Sequence, residues 1–545
     1  MRILSLNNLS VKFVQKEGYI EVVKGIDLAV HQGEIVGLIG ESGSGKSVAS
    51  QSITQLINGA ICSGEVIYKT DDKDIDLLTI NEKILQEVRR NEISYIFQEP
   101  MTALNPLITC GAQILESVKS SGEYLIEELL QKVELQDTHR IKNSYPHELS
   151  GGQRQRIMIA MALAKQPKLL IADEPTTALD IAIQNEILCL LKKLSKDEHM
   201  GILFITHDLL SLKGFADQIA VMFHGKIVEQ GNTHQILNHP KHPYTKALIE
   251  SRATYDKKGT ILHEIDDLLK EENGRLVYNH PKTRPLVKHK SNNDTILKLN
   301  QIGKYHQTKT LFSNLKNQVL DSIDISINQG DIIGLIGESG SGKSTIAKII
   351  LQLWKETSGH IEWKGKNINE INDLPEKIQL VFQDPFSSLN PKHTIGQAIS
   401  EVFFTSNKLL KSSDIKIKTT NLLTTVGLDL NDYNKYPHQF SGGQRQRICI
   451  AKALAKNPQF IVLDEAVSAL DVSVQAKIIN LLNQLKNQKK LTYLLISHDM
   501  NVVSYFCNKI VVLKNGCIVE SGNTDTLINS PQSAYTKSLL GKSIN

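Results

Sequence analysis

Two short segments carry residues suited to phosphate chemistry. Gly40-Glu41-Ser42-Gly43-Ser44-Gly45-Lys46-Ser47 recurs as Gly337-Glu338-Ser339-Gly340-Ser341-Gly342-Lys343-Ser344, followed by Thr345. Glycines at this spacing let backbone N–H groups curl around phosphate oxygens. A helix opening at the lysine adds its partial positive charge. Lys46 and Lys343 are expected to neutralise terminal phosphates, and the Ser47 and Ser344 hydroxyls to ligate Mg²⁺. Downstream, Leu169-Leu170-Ile171-Ala172-Asp173-Glu174 and Phe460-Ile461-Val462-Leu463-Asp464-Glu465 each end in paired carboxylates. Asp173 and Asp464 are expected in the Mg²⁺ shell. Glu174 and Glu465, one residue further, are placed to polarise an attacking water. Together these are the parts that nucleotide hydrolysis would need, and the chain holds them twice. A single kinase-like site would need one phosphate loop; two suggest halves that work against each other.

The elements that must position these residues follow from the pattern. Ile35-Val36-Gly37-Leu38-Ile39 is a short apolar run, read as a buried strand. The glycine-rich turn follows, and Ser47-Val48-Ala49-Ser50-Gln51-Ser52-Ile53 opens a helix. Strand, loop and helix in that order are what the phosphate-loop motif requires. Ile332-Ile333-Gly334-Leu335-Ile336 repeats the arrangement. Later landmarks recur in the same order at nearly constant spacing, which is tandem duplication of a whole domain.

Length and composition agree. The chain has 545 residues, with 41% hydrophobic and 22% charged, an ordinary core-forming balance. A formal net charge of +4 does not imply nucleic acid. No C-x-x-C pair occurs among the six cysteines, which read as reduced thiols. The N-terminus has no signal-peptide pattern, and no apolar run reaches the roughly 18 residues of a membrane span. Any work at a membrane is expected to be as a bound subunit. The domains are read as 1–250 and 294–545, joined by a polar, charged linker over 251–293. Within it, His263 to Glu272 reads as a short helix and Asn279 to Lys290 as loop.

Further repeated motifs decide the kind of phosphate-loop protein. Leu149-Ser150-Gly151-Gly152-Gln153-Arg154-Gln155-Arg156 recurs as Phe440-Ser441-Gly442-Gly443-Gln444-Arg445-Gln446-Arg447. This resembles the signature of ATP-binding cassette (ABC) ATPases. Gln98 and Gln383 resemble that family's Q-loop residues, and His207 and His498 its switch histidines. Ala178-Leu179-Asp180 and Ala469-Leu470-Asp471 resemble its D-loops. The resemblance covers everything except the linker. It implies two tandem α/β cassettes, each with a mainly parallel central sheet, an antiparallel part and a helical subdomain. It also implies ATP and Mg²⁺ as ligands, with Gln98 and Gln383 joining Ser47, Asp173, Ser344 and Asp464 around the metal. His207 and His498 would assist Glu174 and Glu465 in catalysis.

In the family, two cassettes dimerise head to tail. The first phosphate loop would then be completed by Ser441, Gly442, Gly443 and Gln444, and the second by Ser150, Gly151, Gly152 and Gln153. An aromatic upstream of each loop would stack on adenine; Phe13 and Tyr305 fit best, with Tyr19 a rival and ordinary packing an alternative. Phe440 replaces the usual leucine before the second signature, and Ala466 stands where the first half has Pro175. Neither removes a catalytic group, so both sites are expected to be competent.

The subclass is narrowed by three features. Glu99-Pro100-Met101-Thr102-Ala103-Leu104-Asn105-Pro106 and Asp384-Pro385-Phe386-Ser387-Ser388-Leu389-Asn390-Pro391 resemble the oligopeptide, dipeptide and nickel import group. So do the signatures ending in Gln-Arg-Gln-Arg and the segment His242-Pro243-Tyr244-Thr245, echoed as Ser533-Ala534-Tyr535-Thr536. The group's usual two separate ATPases look fused here, closest to the microcin C and peptide branch. The resemblance implies two transmembrane permease subunits, an extracytoplasmic binding protein, no nucleic acid, and a peripheral place on the cytoplasmic face of the bacterial inner membrane. Helices over Gln113–Val118 and Gln397–Phe403 would lie in the subdomain that docks the permease. Relatives often carry a cysteine-rich extension for an iron–sulfur cluster; with no cysteine between Cys189 and Cys449, none is expected here. Two other readings stand against import. A soluble two-cassette translation factor would carry a longer, highly charged helical linker. An exporter ATPase shares the chemistry but not the import-type segments.

Overall fold

The computed structural model describes the chain apart from residues 16–17, 71–72, 99–102, 119–122, 178, 287–293, 311–312, 407–410, 468–469 and 541–545. Part of the first import-type segment, the D-loop alanines Ala178 and Ala469, and the end of the linker lie outside the described residues. The chain divides into two compact units.

In the first unit the apolar runs form a six-stranded sheet in the order Lys226–Asn232, Gln218–Phe223, Ile35–Ile39, Gly201–Thr206, Leu169–Asp173, Ile93–Ile96. The last five strands are mutually parallel, and Lys226–Asn232 closes one edge antiparallel. Ile35–Ile39, Leu169–Asp173 and Gly201–Thr206 are buried along their whole length. That explains why they read as continuous apolar runs rather than alternating ones. The carboxylates of Asp173 and Glu174 therefore emerge at the carboxyl end of a central strand, beside the loop that leaves Ile39. A second, antiparallel sheet runs Gly18–His31, Arg2–Gln15, Ala60–Lys69, Asp74–Asp76. Its Leu4, Leu6, Leu9 and Val11 pack with Val36, Leu38, Ala49 and Ile53 in one apolar core.

The second unit repeats this. Its six strands run Ile378–Val381, Phe460–Asp464, Thr492–Ile496, Ile332–Ile336, Lys509–Lys514, Cys517–Asn523, and its antiparallel sheet Ser313–Asn328, Thr295–Thr310, Ser358–Trp363, Lys366–Asn367. The expected architecture of two tandem α/β cassettes is thus the one observed. Helical subdomains follow in each, with Cys110–Ser117 and Ile395–Ser406 where helices were expected.

The stretch read as a linker divides between the units: residues 251–264 belong to the second and Ile265–His280 to the first. The helix expected over His263 to Glu272 is confined to Ile265–Leu268. Leu269–Glu272 instead pairs antiparallel with Arg275–Tyr278. The reason is Asn273-Gly274, both at positive φ (53° and 73°), a two-residue hairpin turn of the kind Asn-Gly favours. Residues 253–262 are anchored to the second cassette. Ala253 and Leu262 join its core, Leu262 exchanges two hydrogen bonds with Asn480 (3.1 and 2.9 Å), and Tyr505 donates to the Thr260 carbonyl at 2.5 Å.

Candidate functional site

Each phosphate loop is built by glycines in conformations other residues resist. Gly43 and Gly45 have φ of 82° and 104°, and Gly340 and Gly342 repeat them at 79° and 106°. Gly40 is needed for closeness: a Cβ there would meet the Met222 carbonyl at 2.3 Å and Ser44 Oγ at 2.6 Å. Gly45 and Gly342 end the loops and open the helices Lys46–Ile53 and Lys343–Ile350. Lys46 Nζ donates to the Gly40 and Glu41 carbonyls at 2.8 and 2.9 Å, and Lys343 Nζ to those of Gly337 and Glu338 at 2.6 and 2.7 Å. Ser44 Oγ and Ser341 Oγ are buried in these loops without a hydrogen-bond partner. A buried, unsatisfied hydroxyl is costly. Two of them, amid left-handed glycines at a helix N-terminus, fit loops that accept a nucleotide's phosphates.

The carboxylates stand where a metal-bound nucleotide needs them. Ser47 Oγ donates to Asp173 Oδ1 at 3.1 Å. Tyr95 donates to Asp173 Oδ2 at 3.0 Å, and Ser50 Oγ lies 2.8 Å from the Tyr95 hydroxyl. Burial pushes the Asp173 carboxyl up, opposed by its bonds to Ser47 and Tyr95. Burial and the Asp173 charge hold the Tyr95 phenol far above its ordinary range, so it remains a donor. In the second cassette burial likewise pushes Asp464 up, with Glu465 adding to the rise and Lys343 and Lys348 opposing it. Ser344 is exposed.

Glu174 and Glu465 both sit at φ 47°, the left-handed region that non-glycine residues rarely adopt. Each backbone N–H is fixed by a neighbouring strand: Glu174 to the Ile205 carbonyl at 3.0 Å, Glu465 to that of Ile496 at 2.9 Å. Glu174 Oε2 receives Gln98 Nε2 at 3.0 Å and Thr177 Oγ1 at 3.0 Å, with His207 Nδ1 at 3.2 Å. Glu465 receives Gln383 Nε2 at 2.6 Å, with His498 Nδ1 at 3.5 Å. Burial alone would raise Glu174, but the His207 bond and charge, together with Lys46 and Thr177, outweigh it and hold the carboxyl at about 2. His207 is raised despite burial by the same contact. In the structure, both glutamines expected on the metal are bonded to the glutamates.

The signature residues serve local structure within their own cassettes. Ser150 caps the helix Gly151–Leu163, accepting from the Gln153 N–H at 3.3 Å while Gln153 Oε1 accepts from the Ser150 N–H at 3.0 Å. Ser441 and Gln444 form the same reciprocal box at the helix Gly442–Leu454. Gly152 and Gly443 are glycine for space, since a Cβ would meet Ile183 Cγ2 at 2.7 Å and Val474 Cγ1 at 2.1 Å. Arg154 and Arg445 donate to the Pro146 and Pro437 carbonyls, at 2.5 and 2.7 Å, and so hold the turn before each signature. Ser150 and Ser441 themselves are exposed.

Of the adenine candidates, Phe13 is half-buried against the first cassette's core, Tyr305 is 38% exposed and Tyr19 66% exposed. Sequence reading missed Tyr95 and Ser50 as partners of Asp173. It also took Tyr244 and Tyr535 only as subclass markers, whereas each places its hydroxyl against a phosphate loop. The Glu41 N–H donates to the Tyr244 hydroxyl at 3.2 Å, and the Glu338 N–H to that of Tyr535 at 3.1 Å. Among the described residues no helix is long and apolar enough to cross a membrane.

Comparison with known proteins places this geometry. The ABC transporter family matches residues 23–177 and 320–468, one match in each cassette. The oligopeptide/dipeptide transporter C-terminal region matches residues 228–273. The peptidoglycan transport ATP-binding protein YejF of Agrobacterium fabrum is 40% identical over 558 residues, covering 100% of this chain and 96% of its own. The glutathione import ATP-binding protein GsiA of Escherichia coli is 39% identical over 561 residues, covering 99% of this chain and 89% of its own. A solved cassette, cbiO1 of Clostridium perfringens, covers 44% of this chain and 92% of its own at 27% identity and TM-score 0.39. The chain belongs to the ABC transporter family, as a fused two-cassette ATPase of the oligopeptide, dipeptide and nickel import group.

Proposed function

We propose that the chain powers import of peptides or peptide-like compounds through two partner permeases, fed by an extracytoplasmic binding protein. It would act from the cytoplasmic face of a bacterial inner membrane. The observation that carries the hydrolytic part is the Gln–Glu–His cluster beside a phosphate loop, present in both cassettes. The peptide part is supported by the match at residues 228–273 and by relatives named for glutathione and peptidoglycan transport. Microcin C-type peptide–nucleotides fall within the same substrate class.

Lys46 and Lys343 would hold the terminal phosphates, and Ser47, Gln98 and Asp173, or Ser344, Gln383 and Asp464, the Mg²⁺. The metal's chemistry is charge neutralisation of the phosphates. The glutamate must then exchange its bond with the glutamine for one with water. In the first cassette His207 keeps the Glu174 carboxylate ionised and aimed; His498 stands in the same place beside Glu465. The signature serines, exposed within their own cassettes, would serve a nucleotide held by another cassette's loop.

Coupling to a permease is supported by a cavity of about 350 Å³ in the second cassette, lined by Leu380, Phe382, Glu401, Cys449, Lys452 and Lys456. It lies between the Q-loop strand, a subdomain helix and the signature helix. Phe382 in its lining is 52% exposed, large apolar surface suited to a partner helix. An exporter reading lacks support from residues 228–273. The test is affinity capture of the chain from detergent-solubilised membranes, then reconstitution and uptake of labelled di- and oligopeptides. Two co-purifying permeases and ATP-dependent peptide uptake are expected. Recovery with ribosomes alone, or outward movement only, would overturn the reading.

A further inference from the structure

The segment after the antiparallel edge strand of each six-stranded sheet does more than mark a subclass. Glu229 on the edge strand accepts the N–H groups of Lys241 and His242 at 2.7 and 3.0 Å. Glu520 accepts those of Gln532 and Ser533 at 2.9 and 3.0 Å. The next turn is pinned by Tyr244 N–H on His242 Nδ1 in one cassette and Tyr535 N–H on Ser533 Oγ in the other, both at 3.2 Å. Different residues thus make the same bond, and the tyrosine is delivered to the same place. There the peptide joining Gly40 to Glu41 is held at both ends. Its carbonyl takes Lys46 Nζ at 2.8 Å and its N–H meets the Tyr244 hydroxyl at 3.2 Å. The Gly337–Glu338 peptide is held by Lys343 at 2.6 Å and Tyr535 at 3.1 Å.

The ring environments differ. Tyr244 stacks on Phe223 with centroids 4.1 Å apart, whereas Tyr535 lies under Lys514 Nζ at 4.5 Å. Packing demands on the ring have diverged between the cassettes, but the hydroxyl contact has not. A phenylalanine would fill either space equally well, so the hydroxyl needs its own reason. A peptide fixed at both ends cannot rotate. Its orientation decides where the first N–H groups and the lysine of the loop stand relative to phosphate.

We propose that Tyr244 and Tyr535 are positioning residues for nucleotide binding, each locking the first peptide of its phosphate loop in the phosphate-accepting orientation. The inference rests on the ATP-binding reading above. It makes the region beyond the edge strand of each six-stranded sheet, far along the chain from the phosphate loop, a determinant of nucleotide affinity.

The experiment uses the full chain with one site silenced by Lys343→Ala, adding Tyr244→Phe, and the mirror pair Lys46→Ala with Tyr535→Phe. Binding of a fluorescent ATP analogue is titrated, and melting is followed without nucleotide. Loss of the hydroxyl's bond to the loop N–H, and in Tyr244 also of its 3.4 Å bond to the Glu41 carboxylate, should raise Kd about five- to tenfold, with the nucleotide-free melting temperature unchanged. In the transporter, KM for ATP should rise by a similar factor while kcat is kept. Should Tyr244→Phe fail to fold, Glu229→Gln, which keeps the hydroxyl but loosens its turn, reads the same quantity. A parental Kd in the folded phenylalanine variants, or in Glu229→Gln where it stands in, would overturn the proposal. Failure of the single-site parents to bind the analogue would instead overturn the ATP reading itself.

Discussion

The two cassettes hold the same aspartate by different physics. In the first, Asp173 is held by neutral donors: Ser47 at 3.1 Å and Tyr95 at 3.0 Å, the latter backed by Ser50. In the second, the positions of Tyr95 and Ser50 are taken by Leu380, half-buried against the apolar core, and Ala347, buried within it. The loop lysine acts on the aspartate in both sites, Lys46 on Asp173 and Lys343 on Asp464, but the second adds the charge of Lys348, whose Nζ sits 4.3 Å from the Trp354 ring centroid. Hydrogen bonds fix a carboxylate's direction, whereas nearby ammonium groups stabilise its charge with less demand on angle. Beyond the shared lysine, the first site therefore adds orientation through Tyr95 and the second adds electrostatic attraction through Lys348. The catalytic ends of the two sites stay alike: Glu174 and Glu465 share φ 47°, a glutamine donor and a histidine neighbour.

The likeness at the glutamates sets the largest effect. Glu174→Gln and Glu465→Gln should each slow the chemical step by ~10²–10⁴-fold, the usual cost of a lost general base. Nucleotide should still bind, because Lys46 and Lys343 are untouched. ATPase activity of the reconstituted transporter measures this. Parental turnover and transport in Glu465→Gln, with both abolished in Glu174→Gln, would break the symmetry and make the second site regulatory.

The difference at the aspartates predicts a smaller, site-specific effect. With the second site silenced by Lys343→Ala, Tyr95→Phe should raise the Mn²⁺ concentration needed for half-maximal nucleotide binding about tenfold. A hydrogen bond to a charged group contributes roughly 1.5–3 kcal/mol. Salt should matter little at this site. With the first site silenced by Lys46→Ala, Lys348→Gln should give a few-fold effect that shrinks as salt rises, because an exposed ammonium is screened over a Debye length of ~10 Å at 0.1 M. Equal salt dependence at both sites would remove the distinction.

What was legible in the sequence was whatever is local. Phosphate loops, acidic strand ends and signatures are each contiguous, and the fold brought loop, carboxylates, glutamine and histidine together as their order implies. Tyr95 was hidden because Ile93-Ser94-Tyr95-Ile96 reads only as a strand, and its partner Ser50 lies in a helix distant in sequence. Only the parallel pairing of Ile93–Ile96 with Leu169–Asp173 places its hydroxyl beside Asp173. Tyr244 was visible as a motif but not as a contact, since its target lies at the other end of the cassette. The Asn273-Gly274 hairpin was different: its signal was present in the sequence, and the apolar spacing of the preceding residues, read as helix, obscured it.

The smallest expected effect concerns pH at the first catalytic pair. Glu174 is held at about 2, below its ordinary 4.5, so its contribution to stability is present above 4.5 and lost as pH falls towards 2. His207 is raised above its ordinary 6.5, so its contribution is full below 6.5 and lost as pH rises through the raised value. Both contributions are complete only between about pH 4.5 and 6.5. His207→Gln removes the imidazolium while leaving a neutral donor for Glu174. The nucleotide-free melting temperature of the first cassette should therefore exceed that of the variant most near pH 6, and the gap should narrow towards pH 9. A domain of this size shifts by ~2–4 °C per kcal/mol, so the gap should be on the order of a few degrees. A gap that stays constant from pH 6 to pH 9 would mean that His207 contributes through packing rather than as the charged partner of Glu174.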